Sequence, residues 1–438
     1  MSATVAPAPT KETKSIFLMS PEESGLLMVP SSLLLISTVT FFEGQVPTEG
    51  LKNRIVEIVQ ANPWLACRLK KQADGKKKKP AIVYDEQPSA KAIEEDHYRE
   101  YSLDDIRGGR KELSAIDIGQ PYEAIVKAML KSDAKLSCGS ECVGKNEPQF
   151  RVTVVPSTDG KRFALLISLS HVIADGYTYY EILNLLSFNA PMKELNPVRK
   201  QDFGKALKAA VGKVEYNFPG SAGYLFNALG NMIFGSKPKI RAHWIDKAKV
   251  AKIKEEAKKD SGGSVEFVST NDVVTSVFGK LARTNVLEMA IDMRKRLPDY
   301  TKEDAGNYEF ALYFRPDDFG TPSLIRQAVI GKDGEYGRRC TGSQTKLPGF
   351  WGASRRRIAL ITNWSSNHSG ECFLGDGCKQ ELHLPLYKAP PLEAAIIFKP
   401  SPSSLGLITF ARHIKKDAFK DSSSIFGESI SDRIFSDS

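Results

Sequence analysis

RFALLISLSHVIADG, residues 162–176, is the stretch that decides the fold of this chain. Its apolar run has the length of a buried β-strand, and it ends abruptly at His171. Gly176 closes the stretch, and apolar side chains then recur at helical spacing over residues 179–186. The stretch therefore predicts a strand-to-helix junction that presents a histidine into a cleft, where an imidazole can act as a general base.

Strand and helix patterns alternate on both sides of this junction. In the first half, a strand is predicted over 33–42, a helix begins at Pro47, and hairpins are predicted within 64–84 and 149–170. In the second half, Ser269 is the predicted N-cap of a helix, and the predicted strands lie at 289–293, 355–364, 394–399 and 405–411. This alternation indicates an α/β protein.

The pattern divides the chain into four segments. We predict a disordered arm over 1–15, an N-terminal lobe over 16–190, a crossover linker over 191–240 and a C-terminal lobe over 241–438. The arm lacks the apolar core of a secretory signal, and Pro30 interrupts the apolar residues 26–42. We therefore expect a soluble, cytoplasmic protein without a membrane span.

Charge and cysteine content narrow the function further. Lys and Arg exceed Asp and Glu by 61 to 52, a net charge of +9, which suits a polyanionic ligand and does not by itself indicate nucleic acid. The six cysteines form no paired Cys-x-x-Cys units, so we expect reduced thiols and no zinc site. The sequence has no Gly-x-Gly-x-x-Gly motif and no P-loop, which argues against nucleotide-dependent chemistry.

The segment His-x-x-x-Asp-Gly at 171–176 resembles the signature of the coenzyme A-dependent acyltransferase superfamily. That superfamily includes chloramphenicol acetyltransferase, the BAHD enzymes and condensation domains. Further BAHD-like motifs follow in the family's order: residues 63–69 resemble P-L-A-G-R-L, 292–294 with 306–307 resemble D-G-R and G-N, and 362–364 resemble T-S-W. The resemblance to a divergent BAHD-type acyltransferase implies a two-lobed chloramphenicol acetyltransferase-like fold, each lobe a mixed sheet with helices, and an active-site channel between the lobes.

One motif of the BAHD enzymes is altered. Their D-F-G-W-G segment corresponds here to residues 373–377, which keep only the two glycines, Gly375 and Gly377. The resemblance makes these glycines candidates for coenzyme binding, while the lost side chains open a non-catalytic alternative. Ser170 stands where condensation domains and wax ester synthases usually carry a second histidine, which points away from those classes.

The resemblance assigns catalytic and supporting roles within the motif. His171 is expected to be the general base, a neutral imidazole near pH 7 that takes a proton from a hydroxyl or amine as it attacks a thioester. Asp175 is expected to pair with Arg294 and support the loop instead of completing a triad. Gly176 is expected to permit a backbone turn. By itself, the motif also fits a core histidine followed by an Asp-Gly turn.

The remaining matched residues belong to the second half of the chain. Thr362 and Trp364 are expected to line the acyl-transfer site, with the Thr362 hydroxyl as a donor to the oxyanion; an ordinary strand threonine beside a buried tryptophan is the alternative. Asn307 is expected to be structural. Residues 355–357, three arginines, either meet coenzyme phosphates or form a charged strand edge.

These observations predict an enzyme of specialised metabolism that moves an acyl group from acyl-coenzyme A to a hydroxyl or amine of a small metabolite. The acyl-coenzyme A is a co-substrate, and neither a metal nor a covalent intermediate is needed. A monomer is expected from the resemblance. The alternatives are a catalytically inactive binding or assembly module and an enzyme that draws its acyl group from a carrier protein. The sequence leaves open the acceptor, the acyl chain and the choice between oxygen and nitrogen.

Overall fold

A computed structural model of the chain describes residues 13–110, 112–338, 346–419 and 424–435. The helices are α1 (Thr48–Ala61), α2 (Ala90–His97), α3 (Leu103–Gly108), α4 (Tyr122–Lys131), α5 (Gly176–Leu185), α6 (Phe203–Val211), α7 (Lys213–Asn217), α8 (Ala222–Phe234), α9 (Lys247–Asp260), α10 (Thr270–Leu281), α11 (Pro316–Phe319), α12 (Pro322–Ile330), α13 (Phe350–Arg355) and α14 (Asp432–Phe435). The strands are β1 (Thr13–Phe17), β2 (Leu35–Gly44), β3 (Arg68–Asp74), β4 (Lys77–Asp85), β5 (Tyr98–Glu100), β6 (Phe150–Pro156), β7 (Arg162–Ser170), β8 (Lys239–Ile245), β9 (Val286–Asp292), β10 (Glu309–Phe314), β11 (Ile358–Asn363), β12 (Cys378–Leu386), β13 (Glu393–Phe398), β14 (Gly406–Ala411) and β15 (Phe426–Ser429).

Within these described ranges the strands form three sheets. A five-stranded sheet has the order β12-β2-β7-β6-β5, and a seven-stranded sheet has the order β10-β9-β11-β13-β14-β8-β15. A smaller sheet has the order β1-β4-β3. The two larger sheets, with their helices, are the two lobes of an α/β protein, so the fold class predicted from the sequence is confirmed.

Strand β7 carries the histidine to the interface between the lobes. It pairs with β2 on one side and β6 on the other, and both of its faces are covered, which explains its near-continuous apolar sequence. The strand ends at Ser170, and the next residue, His171, donates its backbone N–H to the carbonyl of Leu34 at 2.7 Å. After a short loop, helix α5 begins at Gly176, with Asp175 as its N-cap.

The seven-stranded sheet has two chemically different faces because side chains alternate along a strand. Leu287, Met289 and Ile291 of β9 belong to the core cluster that also contains residues of α10 and α12. Glu288 and Ala290 point to the opposite face, toward the space between the lobes. The helix side of the sheet is thus a closed core, and the other side is available to build a cavity.

The chain crosses between the lobes more often than the four predicted segments suggest. Strand β12 comes from the predicted C-terminal lobe but pairs with β2 in the first sheet. Strand β1 begins at Thr13, inside the predicted arm; residues 1–12 lie outside the described part of the chain. The predicted linker contains the helices α6, α7 and α8. Their helical spacing of apolar residues was not recognised in the sequence, because glycines and prolines interrupt it. In the described ranges, none of the helices is both long and apolar enough to span a membrane.

Candidate active site

Asn307 fixes the orientation and the tautomer of His171. The Asn307 side-chain amide donates to the backbone carbonyl of His171 at 2.8 Å, so its Oδ1 faces the imidazole. That oxygen lies 2.9 Å from Nδ1 of His171 and can only accept, which requires a proton on Nδ1. The opposite nitrogen, Nε2, is left to take or give the proton that chemistry requires.

Glu309 contacts that second nitrogen. Its Oε1 lies 3.3 Å from Nε2 of His171, whose side chain is 24% exposed. Burial lowers the pKa of His171, but the hydrogen bond and the negative charge of Glu309 outweigh burial and raise the pKa to about 9. Acceptors on both ring nitrogens favour the imidazolium form of His171 over the neutral imidazole, so the ring must lose its Nε2 proton before it can act as the base expected from the sequence.

Asp175 and Arg294 form a fully buried ion pair beneath the histidine loop. Arg294 Nη1 lies 2.8 Å from Asp175 Oδ2, and Nη2 lies 3.3 Å from Oδ1. The same carboxylate accepts the backbone N–H groups of Thr178 and Tyr308. Burial would raise the pKa of Asp175, but Arg294 and these donors hold it below its usual value. Since its oxygens are occupied in this way and Nδ1 of His171 bonds to Asn307, Asp175 is not the acid of a triad.

A second buried pair supports Asn307 from below. Glu23 and Arg199 both have fully buried side chains, with 2.9 Å between Oε1 and Nε. Glu23 Oε1 also accepts the backbone N–H of Asn307 at 3.2 Å, and Arg199 donates to the carbonyl of Ile173 in the motif loop. The position of the imidazole is therefore set by residues from distant parts of the chain.

Two cavities meet beside His171. The basic cavity, of about 710 Å³, is lined by four cationic side chains: Lys254, Arg296, Arg326 and Lys399. The acidic cavity, of about 440 Å³, has an otherwise largely apolar lining and contains His171, Glu288 and Glu309. Gly176, Thr362, Trp364, Ala290 and Glu309 line both cavities. These shared residues connect the two cavities at the junction. The four cations of the basic cavity stand beside the carboxylates of Asp175, Asp292 and Glu309.

Three of the residues expected at the site lie at this junction. Thr362, on β11, and Trp364, just after that strand, line both cavities. A Cβ on Gly176 would meet the indole nitrogen of Trp364 at 3.6 Å, an ordinary contact, and Gly176 does not have a positive φ. The sequence suggested that a backbone turn requires this glycine, but its backbone conformation is one that other residues also adopt. Its missing side chain leaves room at the junction.

Other predicted contact residues lie away from the junction. Gly375 and Gly377 precede β12, beside β2 of the first sheet, and line neither cavity. The arginines at 355–357 end α13 and precede β11, and they do not line the basic cavity either. Among the described residues, no group of three or more His, Cys, Asp or Glu side chains could hold a metal ion.

Sequence reasoning missed the two glutamates and the positioning role of Asn307. Glu309 follows Asn307 by two residues, so an extended chain places both on the same side, and this spacing was the available signal. Glu288 gave no signal, because a glutamate in an apolar strand is recognisable as buried only once both neighbouring strands are known. The residue is 4% exposed, and burial raises its pKa to about 8.

Known structures share the fold of this chain. The two-lobed arrangement is that of the chloramphenicol acetyltransferase-like acyltransferases and condensation domains, and the predicted resemblance is confirmed as a shared fold. No protein-family model matches the sequence, and no curated protein sequence matches it.

Individual solved structures cover nearly the whole chain at low sequence identity. TRI101 of F. graminearum, in complex with ethyl coenzyme A, is 13% identical with a TM-score of 0.61, over 96% of this chain and 100% of that one. Polyketide synthase associated protein 5 from Mycobacterium tuberculosis is 12% identical with a TM-score of 0.57, over 93% and 96%. The first condensation domain of the calcium-dependent antibiotic synthetase is 12% identical with a TM-score of 0.55, over 91% of each chain.

Proposed function

We propose that this protein transfers an acyl group from an acyl-coenzyme A to an amine or hydroxyl of a small molecule, with His171 as the general base. One observation carries the proposal: Nε2 of His171 lies where the basic and the acidic cavity meet. Asn307 determines the tautomer of the ring and so leaves Nε2 available for proton transfer. The basic cavity suits the phosphates of the donor. The acceptor would enter through the acidic cavity, from the opposite side.

The reaction needs only a proton acceptor and an oxyanion donor. The acceptor atom attacks the thioester carbonyl carbon, and Nε2 of neutral His171 takes its proton. The Thr362 hydroxyl is the candidate donor to the resulting oxyanion, and the complex then collapses with loss of the coenzyme thiolate, which recovers the proton from His171. A thioester already carries a good leaving group, so neither a covalent enzyme intermediate nor a metal is required.

Release of free coenzyme A thiol tests the proposal directly. Acetyl-, malonyl- and long-chain acyl-coenzyme A would be supplied with an extract of metabolites from the protein's own source. We expect extract-dependent release by the wild type and a loss of about 10²- to 10⁴-fold in His171→Ala, with an unchanged melting temperature. Equal rates in both proteins would contradict the proposal, and silence combined with no acyl-coenzyme A binding would favour a non-catalytic module.

A donor attached to a carrier protein is the second candidate, because condensation domains share this fold. Affinity for free acyl-coenzyme A separates the two candidates. Tight binding that depends on Lys254 and Lys399 supports the free donor, whereas no binding, together with transfer from an acylated carrier protein, supports the second candidate.

A further inference from the structure

The acidic cavity contains two carboxyl groups that could bind a positively charged acceptor. Glu288 is almost fully buried, Tyr224 donates to its Oε2 at 3.1 Å, and its Oε1 has no hydrogen-bond partner. Glu309 lines the same cavity at the histidine. No lysine or arginine is among the described residues that line it, and its other ionisable groups are His171, Tyr313 and Tyr387. A buried polar oxygen without a partner is costly unless a ligand supplies one. Burial raises the pKa of Glu288 to about 8, which favours the neutral acid at pH 7 in the free cavity; a bound ammonium would lower this pKa and stabilise the carboxylate.

We infer that the acceptor is an aliphatic diamine, with the nitrogen to be acylated at Glu309 and the distal ammonium at Glu288. This inference rests on the proposed acyl transfer and specifies its substrate class. Strand register sets the two carboxylates apart, because Glu309 lies opposite Asp292 and Glu288 opposite Tyr313. Four residues of antiparallel strand correspond to about 13 Å. An extended carbon chain between the two charges would fill the apolar part of the cavity.

A cationic acceptor also explains how a histidine held as imidazolium becomes a base. Glu309 stabilises the charged form of His171, so a neutral alcohol would meet a ring with no lone pair to offer. An ammonium group at Glu309 competes for the carboxylate and adds a positive charge beside the ring, and both effects lower the pKa of His171. The bound acceptor thus releases the base that acts on it.

The proton balance of the step is complete. The Nε2 proton of His171 and one ammonium proton both pass to solvent through Glu309, which leaves a neutral imidazole and a neutral amine. The amine nitrogen then attacks the thioester carbonyl carbon. The C–N bond forms, Nε2 of His171 takes a second nitrogen proton, and the C–S bond breaks to release the thiolate. The His171 proton then neutralises the thiolate, so the products are an amide and the coenzyme thiol.

Calorimetry with 1,8-diaminooctane, 1-octylamine and 1-octanol at pH 7 tests the inference without turnover. We expect the diamine to bind at least tenfold more tightly than the alcohol. Glu288→Gln should reduce diamine affinity about tenfold and leave the monoamine unchanged, whereas Glu309→Gln should weaken both amines. Glu43→Gln, an exposed glutamate at the end of β2, is the matched control and should change neither.

Turnover with acetyl-coenzyme A separates failure of the inference from failure of the proposed function. Equal affinity for amine and alcohol, or affinities unaffected by either glutamine variant, overturns the inference, and acyl transfer to an alcohol would still leave the function intact. Glutamate-dependent amine binding without thiol release from any acyl-coenzyme A supports the cation site and contradicts acyl transfer.

A separate observation concerns the outer surface of α8. Six large apolar side chains of this helix are 49% to 86% exposed: Leu225, Phe226, Leu229, Met232, Ile233 and Phe234. Phe350 and Trp351 of α13 extend the same patch, since the rings of Phe226 and Phe350 lie 5.6 Å apart. We call these eight residues the α8 patch. Such a contiguous exposed apolar surface indicates a binding site.

We propose that the α8 patch docks on an anionic lipid bilayer. Residues 218–239 and 346–357, which contain the patch and its flanks, have six Lys or Arg and no Asp or Glu. Arg355 lies over the Trp351 ring at 4.7 Å, an arrangement suited to the interface between headgroups and acyl chains. The same positive rim disfavours pairing of two copies through this surface, because like charges would meet.

Vesicle sedimentation tests the docking proposal. We expect binding to vesicles of phosphatidylcholine with 30% phosphatidylserine, weaker binding without phosphatidylserine, and release by salt. Ile233→Asp combined with Trp351→Ser should reduce binding at least tenfold. Val198→Asp changes an equally exposed apolar residue outside the patch and should have no effect. No sedimentation with either vesicle, or self-association abolished by the same double variant, would contradict the proposal.

Discussion

The two cavities that meet at His171 are built from different kinds of structural element at the interface between the lobes. The basic cavity takes its cations mainly from helices and from segments that follow strands, such as Lys254 on α9 and Lys399 just after β13. The acidic cavity is built largely on a sheet face, where Glu288 and Glu309 stand among apolar side chains. The four cations are partly exposed to solvent and Arg326 is also paired with Asp272, whereas a carboxylate on a buried face requires a partner. This difference indicates that the acidic cavity selects its ligand more strictly than the basic cavity does.

The largest expected effect comes from breaking the buried ion pair between Asp175 and Arg294, beside the residues that both cavities share. Asp175→Ala removes the partner of a fully buried arginine, so we expect the free energy of unfolding to fall by about 3–5 kcal/mol. Chemical denaturation measures this. Asp292→Ala is the matched control, because Asp292 contacts the same Arg294 but is 31% exposed. It should cost about 1 kcal/mol or less, and equal losses would show that burial does not decide the effect.

The charge of the acidic cavity predicts a pH dependence of stability. The folded-state pKa of His171, about 9, lies above its ordinary value of 6.5. Its contribution is therefore fully present below pH 6.5 and is lost as the pH rises through about 9. Denaturation across this window should show the loss in the wild type and much less of it in Glu309→Gln. NMR titration of the ring, assigned with His171→Ala, checks the pKa itself, and a value near 6.5 would contradict the ion pair.

A smaller effect is expected from the residue that holds the histidine between the cavities. Asn307→Ala removes a hydrogen bond that we expect to be charge-assisted, an interaction of about 1.5–3 kcal/mol, so kcat should fall about 10- to 100-fold. A positioning role predicts that the pH profile of kcat also shifts, because the tautomer is no longer fixed. A change in stability with an unaltered profile would leave Asn307 structural, as the sequence suggested.

The sequence predicts the fold well wherever local pattern decides it. The predicted hairpin at 149–170 corresponds to β6 and β7, and the helix after Gly176 begins as expected. Ser269 caps α10 through a capping box. Strand β12 was not predicted, because its partner β2 lies more than 300 residues earlier and only the folded chain brings them together.

The candidate site likewise contains residues that a local sequence pattern predicts and residues that only the folded chain brings together. His171 and its strand are local features, and the resemblance supplied the pairing of Asp175 with Arg294. Glu309 and Glu288 become functional candidates only once the register between β10 and β9 is known, because that register places both side chains on the same face of the sheet. The charge of the basic cavity was likewise hidden, since its cations come from separate elements of the chain. The conspicuous run of arginines at 355–357 lies elsewhere.

The smallest effect tests which cations bind the donor. Lys254→Ala removes one partly exposed charge from the basic cavity, so the KM for acyl-coenzyme A should rise about two- to fivefold, less at high salt, while the KM for the acceptor stays constant. Arg355→Ala, measured without vesicles, is the control, because contact with the coenzyme phosphates was one of two alternatives that the sequence left open for residues 355–357. If Arg355→Ala raised the donor KM and Lys254→Ala did not, the donor would enter by another route. The contrast between the two cavities would then lose its functional meaning, because the basic lining would serve no ligand.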